Sequence, residues 1–428
     1  MKNSFFTAFF VFLLAVGAFY AFKALLPERL FAEVAVKGNN MIVDSLLLLA
    51  AADSAYEQDA TEVNIETNVS GMTSFYRKLF ELEKTKKGSV RIAYFGDSQT
   101  ESDRIVQDIR KNYQKKYGGS GIGFVPLSIP ELYFGSSIKF QHSGWNTYSI
   151  LAKSPVSLGV SGNVSMASGA SAWTRYRAGT SLLARPTLYY GNSKNKDATV
   201  TVTTEKGTLA PIKLKPQGLL NKRSLSPWAK ELTVQFDNAE SIPFYGINFS
   251  GGSGVNIDNF ASRGNSGLPL GYLNMNLMNA FHREFGYDLI VLQFGANVIT
   301  PKLKQYGAYS KKMSYVVSRL KKYFPGADIL VISMSDKATK YGTQMKTDSV
   351  LASLIHAQGE YAGNTNSSFI NLFHMMGGEG SMVKWVENNP ALAATDYTHF
   401  SSKGAKKIAD LIFEKLEEEY EKFKKQNE

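Results

Sequence analysis

The chain has 428 residues, of which 44% are hydrophobic and 12% aromatic, so it carries enough apolar side chain for a large core and more length than one ordinary domain uses. It contains no cysteine, which excludes disulfides, thiolate zinc sites, cysteine nucleophiles and lipoprotein-type acylation. The formal net charge of +11 is spread through predicted helices and the C-terminus rather than massed among aromatics, which argues against a nucleic-acid partner and suits an anionic wall or membrane surface.

From Phe5 to Leu26 the only charge is Lys23, and this run reaches the roughly 20 apolar residues that cross a bilayer as a helix. Residues 1–26 are therefore expected to form a transmembrane signal anchor. Met1 and Lys2 would stay on the cytoplasmic side and the remainder would lie outside the cytoplasm, in the periplasmic part of a cell envelope. A cleavage site after Ala18 is only weakly marked, and the apolar run exceeds that of a removed signal peptide. Residues 27–88 read as a membrane-proximal linker, polar and acidic near 54–67, with a helix ending in EKTKKGS.

The run RIAYF (91–95) predicts a strand that passes directly into GDSQTESDRI and a helix on which Ile105, Ile109 and Tyr113 recur at helical spacing before Gly118 stops it. Residues 89–140 form the first part of an α/β unit on this reading. Between 141 and 254 the pattern changes to short alternating runs such as ATVTVTTEKGT, ELTVQF and PFYGINF, which predict a β-sandwich or jelly-roll insertion. The α/β rhythm returns over 255–416: GVNIDNF, DLIVLQF, ADILVIS and SFINLF alternate with amphipathic helices, the last from Lys403 to Glu418. Apolar strand runs alternating with helices predict a parallel sheet covered on both faces, a flavodoxin-like α/β fold. Residues 417–428 are expected to be a charged tail.

Three segments follow predicted strands, where open parallel sheets place their ligands. Ser98, in Gly96-Asp97-Ser98, stands at a strand-to-helix turn beside backbone N–H groups able to stabilise an oxyanion; the same turn would also suit a plain helix cap. Gly264 in SRGNSG and Asn297 in Gly295-Ala296-Asn297 offer a close-approaching N–H and an uncharged amide donor, although each alone is an ordinary turn. Asp396 and His399, three residues apart before the last helix, can bring a carboxylate to Nδ1 of the imidazole and free Nε2 to take a proton; a capping aspartate beside a solvated histidine is the alternative. His142, His282, His356 and His374 lack ligand spacing, and there is no HExxH, Walker or GxSxG pattern, so neither metal nor cofactor is expected. The glycine-rich KYGGSGIGF ends a helix rather than opening one and reads as a turn or active-site rim.

In order, GDSQTE, SRGNSG, FGAN and DYTHFSSKGA resemble the four blocks of the SGNH (GDSL-like) hydrolase superfamily. The resemblance implies Ser98 as nucleophile, with its own N–H, Gly264 and Asn297 as oxyanion-hole donors, and Asp396 with His399 completing the triad. IAYFGDSQTESDRI, YGGSGIGFVPL and MGGEGSMVKWVENNPALAATDYTHFSSKGA look like the envelope group of peptidoglycan O-acetylesterases and O-acetyltransferases, some of which carry a carbohydrate-binding-like insertion. The pattern departs at Gln99, where the older motif has leucine, and at Val298, where many relatives have aspartate; neither position supplies a triad or oxyanion group. The expected partner is an O-acetylated envelope glycan, peptidoglycan first. A membrane-bound acyltransferase passing acetyl groups to Ser98 is the alternative within the same chemistry, and a non-catalytic glycan-binding envelope protein the alternative outside it. Aromatics of the insertion, Trp145, Trp173 and Tyr176, suggest a glycan-facing module, although for any one of them filling the sandwich core is the favoured alternative.

Overall fold

The computed structural model describes residues 65–129, 137–179, 182–226, 228–300 and 303–427. The expected anchor over 1–26 and the linker up to residue 64 lie outside these. Among the described residues, no helix is long and apolar enough to cross a membrane.

Five strands, β1 (Ser89–Gly96), β2 (Gly254–Ala261), β3 (Leu289–Gln293), β4 (Asp328–Ile332) and β5 (Ser368–Ile370), pair in parallel in the order β2-β1-β3-β4-β5. Among the described residues the helices are α1 (Thr73–Thr85), α2 (Val106–Tyr117), α3 (Met275–Phe285), α4 (Gly307–Tyr323), α5 (Leu351–Asn364), the short α6 (Leu372–Met375) and α7 (Ser381–Glu387), and α8 (Ser402–Asn427). Successive strand side chains point to opposite faces, and both faces are covered, which is why these strands read as near-continuous apolar runs. Phe95, Leu292 and Val331 pack on one face with α3, α4 and α5. Tyr94, Val291 and Leu330 pack on the other with α1, α2 and α8. The flavodoxin-like order reverses at β1, so the crevice available to a ligand lies at the C-terminal ends of β1 and its neighbours.

Three expected boundaries differ, the first two in the α/β unit. Residues 65–88 belong to the α/β unit: Asn68 exchanges both backbone hydrogen bonds with Phe369 and covers the edge strand β5, and α1 buries Phe75, Tyr76, Leu79 and Leu82 against the sheet. The charged tail is the last part of α8, which continues to Asn427; Glu417 and Tyr420 are buried, and Tyr420 donates its hydroxyl to Glu83 at 2.6 Å. Alternating lysines and glutamates conceal this because the apolar stripe thins to single residues there.

Among the described residues the insertion has two six-stranded antiparallel sheets, with a two-stranded pair of Leu183–Ala184 and Trp228–Ala229, around a core that includes Val200, Val234, Phe236 and Phe249. It begins earlier than residue 141. Gly121–Val125 pairs with Phe244–Ser250, and Ile138–Ser143 pairs with Ser171–Ala178, so the expected start falls inside a strand. KYGGSGIGF is accordingly this first strand and its approach, not a rim turn. A Cβ at Gly121 would meet the Phe249 carbonyl oxygen at 1.8 Å, and one at Gly123 would meet the Ile257 carbonyl oxygen at 2.6 Å; only glycine lets the strand pass this close to both modules.

Of these three aromatics, most take the core alternative. Tyr176 is fully buried, with its hydroxyl on the Pro126 carbonyl at 2.9 Å. Trp145 packs edge-on against Phe236 and Phe244 and donates its Nε1 to the Trp173 carbonyl at 3.1 Å. Trp173 alone of the three shares the outer face with the exposed Arg175 and Arg177.

Where the two modules meet, Arg91 of β1 is held by Asp258 of β2 through two hydrogen bonds of 2.8 Å, and it also donates to Asn248 of the insertion at 2.9 Å. Asp258 further accepts the Phe124 N–H and the Tyr287 hydroxyl, while the guanidinium lies 4.3 Å from the Phe285 ring centre. Asp258→Ala would leave this guanidinium buried without its counter-charge. The expected loss is about 3–5 kcal/mol of unfolding free energy, read from the urea midpoint, and a loss below about 1 kcal/mol would place the pair among surface-type bridges.

Candidate active site

β1 ends at Gly96, and the chain folds over so tightly that a Cβ at Gly96 would meet Thr100 Oγ1 at 2.1 Å. This turn presents Ser98, only 9% exposed, between two buried polar side chains, Asp97 and Gln99. The helix expected directly after Ser98 starts later, at Val106. A 3-10 turn over Glu101–Asp103 intervenes, so any oxyanion donor near Ser98 is a turn N–H rather than a helix N-terminus.

His399 arrives from the turn ahead of α8. Its Nε2 lies 2.8 Å from Ser98 Oγ, and its Nδ1 lies 2.7 Å from Asp396 Oδ2. With the proton on Nδ1 and donated to Asp396, Nε2 keeps the lone pair that accepts the serine hydroxyl. Tyr397, at φ 54°, reverses the backbone so that the N–H groups of Thr398 and His399 both donate to Asp396 Oδ1 at 3.0 Å. Burial acts to raise Asp396, but these N–H groups and the imidazole outweigh it and hold the carboxyl below its ordinary range. The acid therefore stays ionised where the imidazole needs it.

The other two predicted segments meet beside this relay. Ser262 N–H donates to the Gly96 carbonyl at 3.0 Å, tying the β2 turn to the β1 turn. Gly264 sits there at φ +86°, and Asn297 donates one amide hydrogen to the Asn265 carbonyl at 3.2 Å, which fixes the amide plane and leaves its second hydrogen for another acceptor. Asn265 in turn accepts the Gly267 N–H at 2.9 Å. Val298 fills the core rather than the site.

Two residues next to the nucleophile went unrecognised in the sequence. Gln99 donates its amide to Ser335 Oγ at 2.8 Å and to the Thr398 carbonyl at 3.2 Å, so it anchors the turn carrying His399 to the turn carrying Ser98. A buried glutamine in place of an expected leucine was the available signal. Asp97 accepts the Gln99 N–H at 3.0 Å on one oxygen, and its other oxygen has no hydrogen-bond partner among the described residues. Burial pushes its pKa up to about 6, against the Gln99 N–H and, from beyond hydrogen-bond distance, the N–H groups of Ala296 and Gly295 and a protonated His399, all of which favour the ionised form. Among the described residues no cluster of histidine and carboxylate side chains could hold a metal ion.

Together the groups provide a hydroxyl, a base oriented by an ionised acid, and neutral donors close by. Such a set can move a proton from a serine to an imidazole while the serine oxygen attacks a carbonyl.

No protein-family model matches the chain, and no curated protein sequence matches it. Among solved structures the chain is similar to a peptidoglycan O-acetylesterase, with a TM-score of 0.69 and 20% identity over 83% of this chain and 98% of that one. It is also similar to a family two carbohydrate esterase from Cellvibrio japonicus, at TM-score 0.27 and 11% identity over 71% and 99% of the two chains. A GDSL-like lipase from Parabacteroides merdae matches at TM-score 0.28 and 15% identity over 37% and 72%. The first likeness spans the α/β unit and the insertion together, and the chain has an SGNH hydrolase-like fold resembling that of the O-acetylesterase.

Because the folded-state pKa of Asp97 lies above its ordinary 3.8, its contribution favours the fold fully below that value and is lost as pH rises through about 6. Asp97→Asn removes this dependence. Between pH 4 and pH 7 the variant should gain stability relative to the parent, on the order of 2 kcal/mol, in denaturant titrations at each pH. A constant difference across that range would contradict a buried, titrating Asp97.

Proposed function

We propose that the protein is an exported serine esterase that removes O-acetyl groups from an envelope polysaccharide, peptidoglycan foremost, through an acetyl-enzyme on Ser98. The continuous relay Ser98–His399–Asp396, with contacts of 2.8 and 2.7 Å, carries this reading. The fold shared with a peptidoglycan O-acetylesterase supports the substrate class. The apolar run Phe5–Leu26 supports export and tethering to the cytoplasmic membrane.

His399 Nε2 takes the Ser98 proton as Oγ attacks the acetyl carbonyl, and the N–H groups of Ser98 and Gly264 with the Asn297 amide hold the oxyanion. Collapse of the intermediate breaks the bond to the sugar oxygen, which receives the proton from His399. Water then gives a proton to His399 and attacks the acetyl-serine, releasing acetate and restoring the Ser98 hydroxyl. The side chains of His399 and Asp396 are 29% and 52% exposed, so water has direct access to the base, which favours hydrolysis over transfer to a second sugar.

Ser98→Ala should lower turnover of an aryl acetate by about 10³-fold or more while leaving the melting temperature near that of the parent. A variant with near-parental rate would remove Ser98 from the chemistry. Asn297→Ala should reduce kcat by about 10²–10³ with little change in KM, because its amide meets the oxyanion better than the ground-state carbonyl. A change confined to KM would reassign Asn297 to substrate positioning.

A further inference from the structure

Among the described residues, two hydrogen bonds directly join the nucleophile turn, residues 97–100, to the turn of the base, residues 396–399. One is the contact of Ser98 Oγ with His399 Nε2 at 2.8 Å. The other runs from Gln99 Nε2 to the Thr398 carbonyl at 3.2 Å. A carbonyl can only accept, so the amide nitrogen of Gln99 must face it. The second amide hydrogen goes to Ser335 Oγ at 2.8 Å. Gln99 is 3% exposed and Ser335 fully buried, so this bridge is anchored below the site and does not depend on the Ser98 hydroxyl.

The two links do not last equally through the reaction. In an acetyl-enzyme Ser98 Oγ belongs to an ester and has no hydrogen to donate, so its link to Nε2 is gone at the moment when His399 must act on water. Asp396 cannot replace it: it holds Nδ1 at 2.7 Å but sits on the same turn as His399 and moves with it. The neighbouring carbonyls of that turn are held from elsewhere, Tyr397 by the Ala338 N–H at 3.1 Å and His399 by the Ala394 N–H at 2.8 Å. Neither donor belongs to the nucleophile turn. Gln99 is therefore the contact that still ties base to serine once the serine is acylated.

We propose that Gln99 is a positioning residue for the second half-reaction, keeping His399 over the acetyl-serine after the Ser98–His399 hydrogen bond has been lost. The proposal rests on the esterase reading and deepens it. In deacylation the water oxygen bonds to the acetyl carbon while its proton passes to His399 Nε2. The bond from that carbon to Oγ then breaks, Oγ takes the proton from Nε2, and acetic acid leaves and ionises in water. A displacement of about 1 Å in such a group can cost on the order of 10²-fold in rate. Acylation needs the bridge less, because there the serine hydroxyl itself holds the imidazole in place.

The test uses the whole protein and an aryl acetate, with the acetylated fraction of the enzyme read by intact mass after a rapid acid quench at saturating substrate. Dividing kcat by that fraction gives the deacylation rate constant, while kcat/KM reports acylation. Gln99→Met keeps the length of the side chain and removes both donors. It is expected to lower the deacylation constant about tenfold or more, to raise the acetylated fraction, and to leave kcat/KM within about twofold of the parent. Hydroxylamine, a nucleophile that needs little help from a base, should then restore turnover by releasing acetohydroxamate. A fall in kcat/KM as large as the fall in the deacylation constant, or an unchanged deacylation constant, would overturn the proposal. If Gln99→Met fails to fold, Gln99→Asn decides by the same ratio, because its amide is one methylene too short to reach both partners. A parent that neither turns over the aryl acetate nor carries acetyl on Ser98 would instead overturn the esterase reading itself.

Discussion

Arg91 is 6% exposed and the carboxylate it faces is fully buried, so neither charge exists in the folded chain without the other. Taking two ions out of water is costly, and the pair recovers this only because every partner is in place: two bonds between guanidinium and carboxylate, Asn248 from one side, and the Phe124 N–H and Tyr287 hydroxyl from others. Phe124 and Asn248 belong to the insertion, whereas Arg91 and Asp258 belong to the parallel sheet. The network therefore fixes how the sandwich sits on β1 and β2. Hydrophobic contact alone would allow sliding, because apolar packing is non-directional. Satisfying this buried pair does not allow it.

The same two strands carry the site at their other end, where the turns are joined by polar contacts rather than by packing. Ser262 N–H on the Gly96 carbonyl joins the first two turns, and Asn297 on the Asn265 carbonyl joins the second and third. Gln99 ties the first to the turn of His399 through the Thr398 carbonyl. A displacement of any one turn breaks a hydrogen bond in a largely buried setting, which makes the spacing of serine, imidazole and oxyanion donors stiff. Asp97 is one exception to full satisfaction, with one oxygen unpartnered among the described residues and a raised pKa. Its place directly beside the nucleophile is where such a perturbed group is expected to matter for function.

The parallel sheet was legible in the sequence because burial on both faces writes itself as apolar runs, as in LIVLQ and DILVI. The contacts among Ser98, His399 and Asp396 were anticipated from the order of four short blocks and their resemblance to a known family, since an aspartate and a histidine three residues apart occur often by chance. Less was legible where partners are far apart in the chain. Gly121–Val125 belongs to the insertion only through its pairing with Phe244–Ser250, more than a hundred residues later, and no local pattern states this. The orientation of Trp145 and Tyr176 likewise depends on which of two sandwich faces each alternation addresses, and period-two patterning alone does not say which face is inside. Gln99 looked like a departure without chemical meaning because its partners, Ser335 and Thr398, come from 236 and 299 residues away.

Local preference is violated most clearly around the site itself. Ser102, Asp103 and Ile105 all have φ near +60°, and Ile105 is β-branched, for which this conformation is a genuine outlier. The chain must leave Ser98, turn beneath β2 and begin α2 within eight residues, and the left-handed residues make that path. Tertiary contacts hold them there. Asp103 forms a buried pair with Arg110, Asn259 donates to the Thr100 carbonyl at 2.8 Å, and Ile105 is fully buried in the core under α8. Strain of about 1–3 kcal/mol per such residue persists only where surrounding structure determines it. Here what determines it is the same Arg110, which also donates to the Ile257 carbonyl at 2.9 Å and so ties α2 to β2. The nucleophile turn is therefore set by the sheet below it and not by its own sequence preference, which is why GDSQTESDRI reads locally as a simple strand-to-helix turn yet folds as a strained double reversal.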